Sequence, residues 1–260
     1  MKRLILTGIL ALATGISCLM AQQPPAAPAK PAAKGPTPKS QAEVQVLNEM
    51  FTAANAGNQD GVIKASEDLQ SKFADSDFKE TALTLEAQAY KQKGDNVKAQ
   101  IYGERVLEIN PNSFQITLML GEILAMTTRE NDLDKEEKLT KADKYLNHTI
   151  DSLKTAPKPN PNLPDAQWED AKKLLTAEAH NGLGLIGLDR KKYDVAISEF
   201  KMAIDGDPQA TYSVRLASAY QQAGKNQEAI EICDKLLADP QLHPQIKSVA
   251  QSVKAAASKK

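Results

Sequence analysis

The sequence predicts an all-α protein: an α-solenoid of antiparallel helix hairpins closed by a C-terminal capping helix. Three observations carry that prediction. One pattern runs twice in succession, from Ala177 to Pro208 and from Ala210 to Pro240. In each copy a small residue (Gly184, Ala217) is followed twelve residues later by alanine (Ala196, Ala229), then one turn on by a larger side chain (Phe200, Cys233). A small or aliphatic residue (Ala203, Leu236) and a closing proline complete the copy, and the two alanines lie 33 residues apart, the period of a two-helix repeat. Apolar residues also recur at three- and four-residue spacing through most of the chain, as amphipathic helices require. Finally, the fourteen prolines fall in an N-terminal tail, an inner linker, repeat ends or the first turn of the last helix. None interrupts a proposed helix, where each would cost about 3 kcal/mol.

With 42% hydrophobic and 25% charged residues among 260, the chain can build a substantial core. At 5% aromatic residues that core is mostly Ala, Leu, Ile and Val, and a formal charge of -1 supplies no global drive toward nucleic acid or anionic membrane.

Residues 1–21 read as an export signal: Lys2 and Arg3, an apolar run from Leu4 to Met20, and Ala21 for cleavage. Leu19 is larger than the residue preferred at its place, and the run approaches spanning length, so an uncleaved membrane anchor is the alternative. A lipid anchor on Cys18 has Ser17 in its favour but Gly15 where leucine is usual. The expected location is therefore the periplasm or cell envelope, with membrane contact only through such an anchor. Residues 22–40 hold six prolines among alanines and lysines and read as a disordered linker. Cleavage leaves Cys233 as the lone cysteine; it lies on an apolar helix face and reads as a buried small hydrophobe rather than a reactive thiol.

The repeat region spans residues 41–260. A degenerate first copy (43–76) carries Val44, Leu47, Phe51 and Ala54, a polar turn after Gly57, then Val62, Ala65, Leu69 and Phe73. A second (80–111) carries Leu83, Ala87, Tyr90, Gly94, Ala99, Val106 and Pro111. In the third (114–154) Leu120, Gly121 and Leu124 form the first-helix core, but the partner alanine, Ala142, comes nine residues late. Helices extended past the stack, or a longer loop, would both accommodate the insert at 128–139. A proline-rich linker, 156–164, follows within the second insert, 155–176. From Asp165, an expected N-cap, periodicity runs unbroken into the fourth copy (177–208), giving a first helix of about 24 residues, roughly 36 Å. After the fifth copy (210–241), residues 244–257 form one more amphipathic helix able to shield the last repeat from water.

The spacing of Tyr90, Gly94 and Ala99 is repeated at Tyr220, Gly224 and Ala229, and Pro111 follows Ala99 by twelve residues as Pro208 follows Ala196; this pattern resembles the tetratricopeptide repeat family. The resemblance covers most of residues 43–241 and implies a right-handed α-solenoid. Gly103 and Ser66 stand where the family's second helix usually offers an aromatic, and Gly187 replaces a first-helix aromatic, with Tyr102 and Leu188 as neighbours to fill the space.

No catalytic set is visible. His148, His180 and His243 are scattered without metal spacing and read as solvated or capping side chains. The acidic run from Glu130 to Glu137 lacks the glycine and terminal glutamate of a calcium loop and reads as a solvated face. Trp168 shares a stripe with Ala171 and Leu175, which favours packing over a surface anchor. No cofactor is expected.

The resemblance implies that the first helices of the repeats line a concave groove for a peptide or partner helix. Its matching positions are Thr84, Gln88, Lys91, Leu118, Glu122, Asn181, Leu185, Arg215, Ser218 and Gln222. The lysine and asparagine of the family's carboxylate clamp are replaced by Thr84 with Gln88 and Leu118 with Glu122. The sequence thus points to a non-enzymatic scaffold binding other proteins or peptides at the cell envelope. The alternative is an envelope-assembly or cell-wall accessory factor binding glycan polymer.

Overall fold

The computed structural model describes residues 35–259; the expected export signal and most of the linker lie outside the described residues. Within them are α1 (Gln41–Asn55), α2 (Gln59–Lys72), α3 (Lys79–Gln92), α4 (Asn96–Ile109), α5 (Phe114–Thr127), α6 (Lys135–Thr155), α7 (Asp165–Asp189), α8 (Tyr193–Gly206), α9 (Ala210–Gln222), α10 (Asn226–Leu237) and α11 (Pro244–Ala257). Helices pack in consecutive pairs, α1 with α2, α5 with α6, α7 with α8 and α9 with α10, and α11 packs on α9 and α10. Two compact units divide the chain. The first runs to Tyr102 and includes Pro159–Pro161; the second comprises Gly103–Lys158 and the chain from Asn162 on.

The hairpin turns explain the repeated glycine. After the first helix of four hairpins one residue takes a left-handed conformation: Gly57 at φ 66°, Gly94 at 78°, Gly224 at 75° and Lys191 at 57°. That twist lets the next two N–H groups return to the helix's last carbonyls. At α3, Gly94 N–H donates to Lys91 O and Asp95 N–H to Tyr90 O, and at α7 Lys191 and Lys192 do the same to Leu188 and Gly187.

In the first unit, Val46, Leu47, Met50, Ala65, Leu69, Phe78 and Ala82 form the core. Its entry is locked by Glu43, a fully buried carboxylate outside the apolar pattern of the repeat. Ser40 Oγ accepts the Glu43 N–H at 3.1 Å, while the Glu43 carboxylate accepts the Lys39 N–H at 2.5 Å and the Ser76 hydroxyl at 2.6 Å. The Lys39 ammonium adds ion pairs to Asp75 and Asp77. Residues 37–40, the end of the expected free linker, are therefore held on the loop between α2 and α3. Tyr102 stacks on Tyr90 with centroids 5.3 Å apart, the filling anticipated beside Gly103.

In the second unit the small-against-large rule works at two places. A methyl group on Gly184 would meet Phe200 Cε1 at 2.5 Å, so the glycine makes room for a fully buried ring. Leu146 of α6 lies between Gly121 of α5 and Gly182 of α7; a methyl on either would approach it to 2.6 Å. At Gly187 the missing aromatic leaves no gap, because the α8 backbone closes in: a methyl there would lie 2.9 Å from Ala196 N.

The third hairpin resolves the choice left by its insert. A connection from Thr128 to Asp134 joins α5 to an α6 of 21 residues. This extension is braced against the end of α7. Arg190 donates to Glu136 at 2.6 Å, Asp143 at 2.9 Å and Thr140 at 2.9 Å, and Lys135 donates to the Asp189 carbonyl at 2.8 Å. The acidic run is an ion-paired strap rather than a merely solvated face.

Helix α7 has 25 residues, close to the length expected, but its N-cap is Pro164. Asp165 is the first helical residue and pairs with Lys158 at 2.7 Å instead of capping, a correction to the sequence reading. Trp168 is buried against Phe114, and its indole N–H donates to Ala156 O at 3.2 Å. Cys233 is buried with Val214, Ala217 and Ala250. Two histidines differ from expectation. His180 Nδ1 pairs with Glu199 at 2.7 Å between α7 and α8, and His148 Nε2 is buried; only His243 caps a helix, α11.

Candidate functional site

The expected groove positions fall into both units. Thr84, Gln88 and Lys91 are half-buried on α3 of the first unit. The others lie on α5, α7 and α9 of the second, the first helices of consecutive hairpins. Helix α5 packs along α7, and an Asn181–Arg215 bond joins α7 to α9. Three helices thus present one face.

Helices α5 and α9 carry one charge each, Glu122 and Arg215, and Glu178 of α7 acts on the same neighbourhood. The centre of the face is Arg215 Nη1, which donates to Asn181 Oδ1 at 2.6 Å. Asn181 is only 7% exposed, so this is a built contact and not a chance meeting of surface side chains. Burial lowers the Arg215 pKa, outweighing attraction to Tyr212 and Glu122. The neighbouring Tyr212 phenol is pushed up by burial, then by the negative charges of Glu178, Asp207 and Glu122. Both groups keep their protons near neutral pH, so their chemistry is hydrogen-bond donation.

The remaining candidates have different surroundings. Leu118 is buried in the core with Leu146 and Leu183 and does not line the face. Leu185 is half-buried against two core clusters. The Ser218 hydroxyl donates to Val214 O of its own helix at 3.1 Å, Glu122 is half-buried, and Gln222 is exposed. The sequence reading missed Tyr212 and Glu178. Each precedes a chosen residue by three positions, Arg215 and Asn181 respectively, which is the same-face spacing of a helix.

Tetratricopeptide repeat sequence profiles match residues 167–211 and residues 81–113 and 210–238. A search of curated proteins finds no match. Among solved structures, a thermophilic tetratricopeptide repeat protein of Thermus thermophilus is similar at 18% identity and a TM-score of 0.53, covering 81% of this chain and 98% of its own. The MamA RS-1 ArsTM double mutant is similar at 16% and 0.56, covering 83% and 98%. A tetratricopeptide repeat protein from Parabacteroides merdae gives 14% and 0.50, with 84% and 87% covered. At such identities the structural likeness speaks to the fold, and the profiles speak to the repeats themselves. Together they show that the chain carries tetratricopeptide repeats over the matched residues, within a helical-repeat fold of the same kind.

Proposed function

We propose that this chain is a non-enzymatic scaffold of the cell envelope that binds a peptide or partner helix along the α5, α7 and α9 face. The repeat fold supports an interaction role, since stacked hairpins offer an extended surface rather than an enclosed cavity. The observation that carries the proposal is the Asn181–Arg215 pair: a polar contact that joins two first helices, with apolar side chains of α5 and α9 around it. Such a face suits a segment held by apolar area with a few oriented hydrogen bonds. The envelope location rests on the basic start, apolar run and Ala21 of the first residues.

Capture from an envelope fraction tests the reading. The expected result is a partner retained by the full chain and released by Ser218→Tyr with Gln222→Trp, which fill the face with bulk. Partners that survive both changes would count against it. Export is tested separately by cell fractionation, where removal of Leu4–Met20 leaves the chain inside the cell.

A further inference from the structure

One edge of the second unit holds both the α5–α6 connection and the turn before α8, and its two halves are opposite in character. On the first half Leu133, within the connection, is fully exposed. A lone exposed leucine is ordinary on a protein surface, but this one is held in place. The Asp132 carboxylate accepts the Arg129 N–H at 3.1 Å and the Lys138 ammonium at 3.0 Å, and Lys135 N–H donates to Asp132 O at 3.1 Å. Glu137, one turn beyond Leu133, is exposed and forms no ion pair among the described residues. The second half is an open recess of about 480 Å³ between the turns that precede α8 and α10, with Tyr193, Val195 and Ala223 as its apolar lining. Val195 is exposed. Lys191 and Lys225 at the rim pair with Glu130 and Asp194, whereas Lys192 forms no ion pair among the described residues. The halves are neighbours, because Glu130–Lys191 at 3.2 Å and Glu136–Arg190 at 2.6 Å tie the strap to the turn.

We propose that this edge is the interface between two copies of the chain, in which Leu133 of each copy enters the Val195 recess of the other and Glu137 faces Lys192. The occupant is a second copy because both halves of a complementary pair stand side by side on one chain. A foreign partner needs one half only; a two-fold dimer needs both on one patch, and then makes every contact twice. The halves match in spacing. Leu133 and Glu137 stand one turn apart at the start of α6, as Val195 and Lys192 do at the start of α8. They also match in charge, an unpaired carboxylate beside the leucine and an unpaired ammonium beside the recess. The connection is already ordered by its own hydrogen bonds, so little conformational freedom is lost when it docks. The inference stands apart from the proposed peptide-binding face, none of whose residues belongs to either half.

Sedimentation velocity of the full chain over a range of concentrations tests the proposal. The expected result is a concentration-dependent dimer that Leu133→Gln and Val195→Gln each weaken about a hundredfold, since each loss occurs twice. Glu137→Lys and Lys192→Glu each set like charges against one another and should lower self-association about tenfold. Mixed in equal amounts, those two variants associate again, because each offers the charge that the other now needs. Thermal melts of all four variants are expected to match the unaltered chain, as exposed positions allow. A chain that sediments as a monomer at every concentration overturns the proposal, and so does a dimer that Leu133→Gln leaves intact. A mixture that associates no better than its separate parts overturns the Glu137–Lys192 pairing.

Discussion

Lys191 shows what one residue does to a hairpin turn. It adopts the left-handed conformation that glycine supplies at Gly57, Gly94 and Gly224, and a side chain there crowds the following carbonyl. Its ammonium reaches Glu130 at 3.2 Å, but both groups are well exposed, so the pair contributes little. Lys191→Gly is expected to stabilise the fold by about 0.5–1 kcal/mol, the relief of strain outweighing added chain entropy. Urea unfolding checks it, and a lower midpoint would contradict the turn argument. Gly184 makes the converse case. Gly184→Ala pushes a methyl into the Phe200 ring and is expected to cost about 1–3 kcal/mol. Phe200→Ala costs about 3–5 kcal/mol through the cavity it leaves. The two residues touch, so Gly184→Ala with Phe200→Leu should cost less than the sum of the separate changes. Strict additivity of those unfolding energies would disprove the contact.

At the scale of elements, the extension of α6 is held by charge as well as by Leu139, which is fully buried in the core. The Arg190 guanidinium holds the Glu136 carboxyl below its usual range, Lys135 and Lys191 do so for Glu130, and the Arg129 N–H and Lys138 do so for Asp132. A carboxyl depressed in the folded state contributes stability above its unfolded pKa and loses it as pH falls through the folded value. Asp189, raised chiefly by burial, has the opposite sign: it favours the fold in acid, and that contribution fades as pH rises through its raised value. The three depressed groups lie on the strap itself, so acid should loosen residues 128–140 first. Hydrogen exchange, corrected for its intrinsic pH dependence, is expected to show protection there falling between about pH 5 and pH 3 while α7 stays protected. Arg190→Gln should show the loosened strap already at neutral pH. Unchanged protection in that variant would mean the strap is held by something else. None of this was readable beforehand. Glu136 and Arg190 are far apart in sequence, and an ion pair leaves no periodic trace by which to find it.

For the whole molecule, the legible part was whatever repeats. Gly184 followed by Ala196, and Ala217 followed by Ala229, marked hairpins because helices approach closely only over small residues. Proline positions then bounded the helices. Contacts among three helices stayed hidden: Leu146 between Gly121 and Gly182 belongs to no single repeat. The proposed face was legible only as positions, since the Asn181–Arg215 contact depends on how neighbouring hairpins meet. The end of the array was legible through its pattern, and it permits a test of the stacking logic. Helix α11 covers Val214, Ala217 and Cys233 with Ala250, and Lys254 pairs with Asp234. Burial is the main cause raising the Cys233 thiol above its usual range, so the covered thiol is held in its inert form. Deletion of residues 243–260, made in a Cys18→Ser background so that one thiol remains, uncovers it. The truncated chain is expected to react with an aromatic disulfide reagent about a hundredfold faster than the full chain, as a locally exposed thiol does. Ala250→Glu places a charge in the same contact and should give an intermediate rate while helicity elsewhere is kept. A full-length chain that reacts as fast as the truncated one would show that α11 does not close the stack.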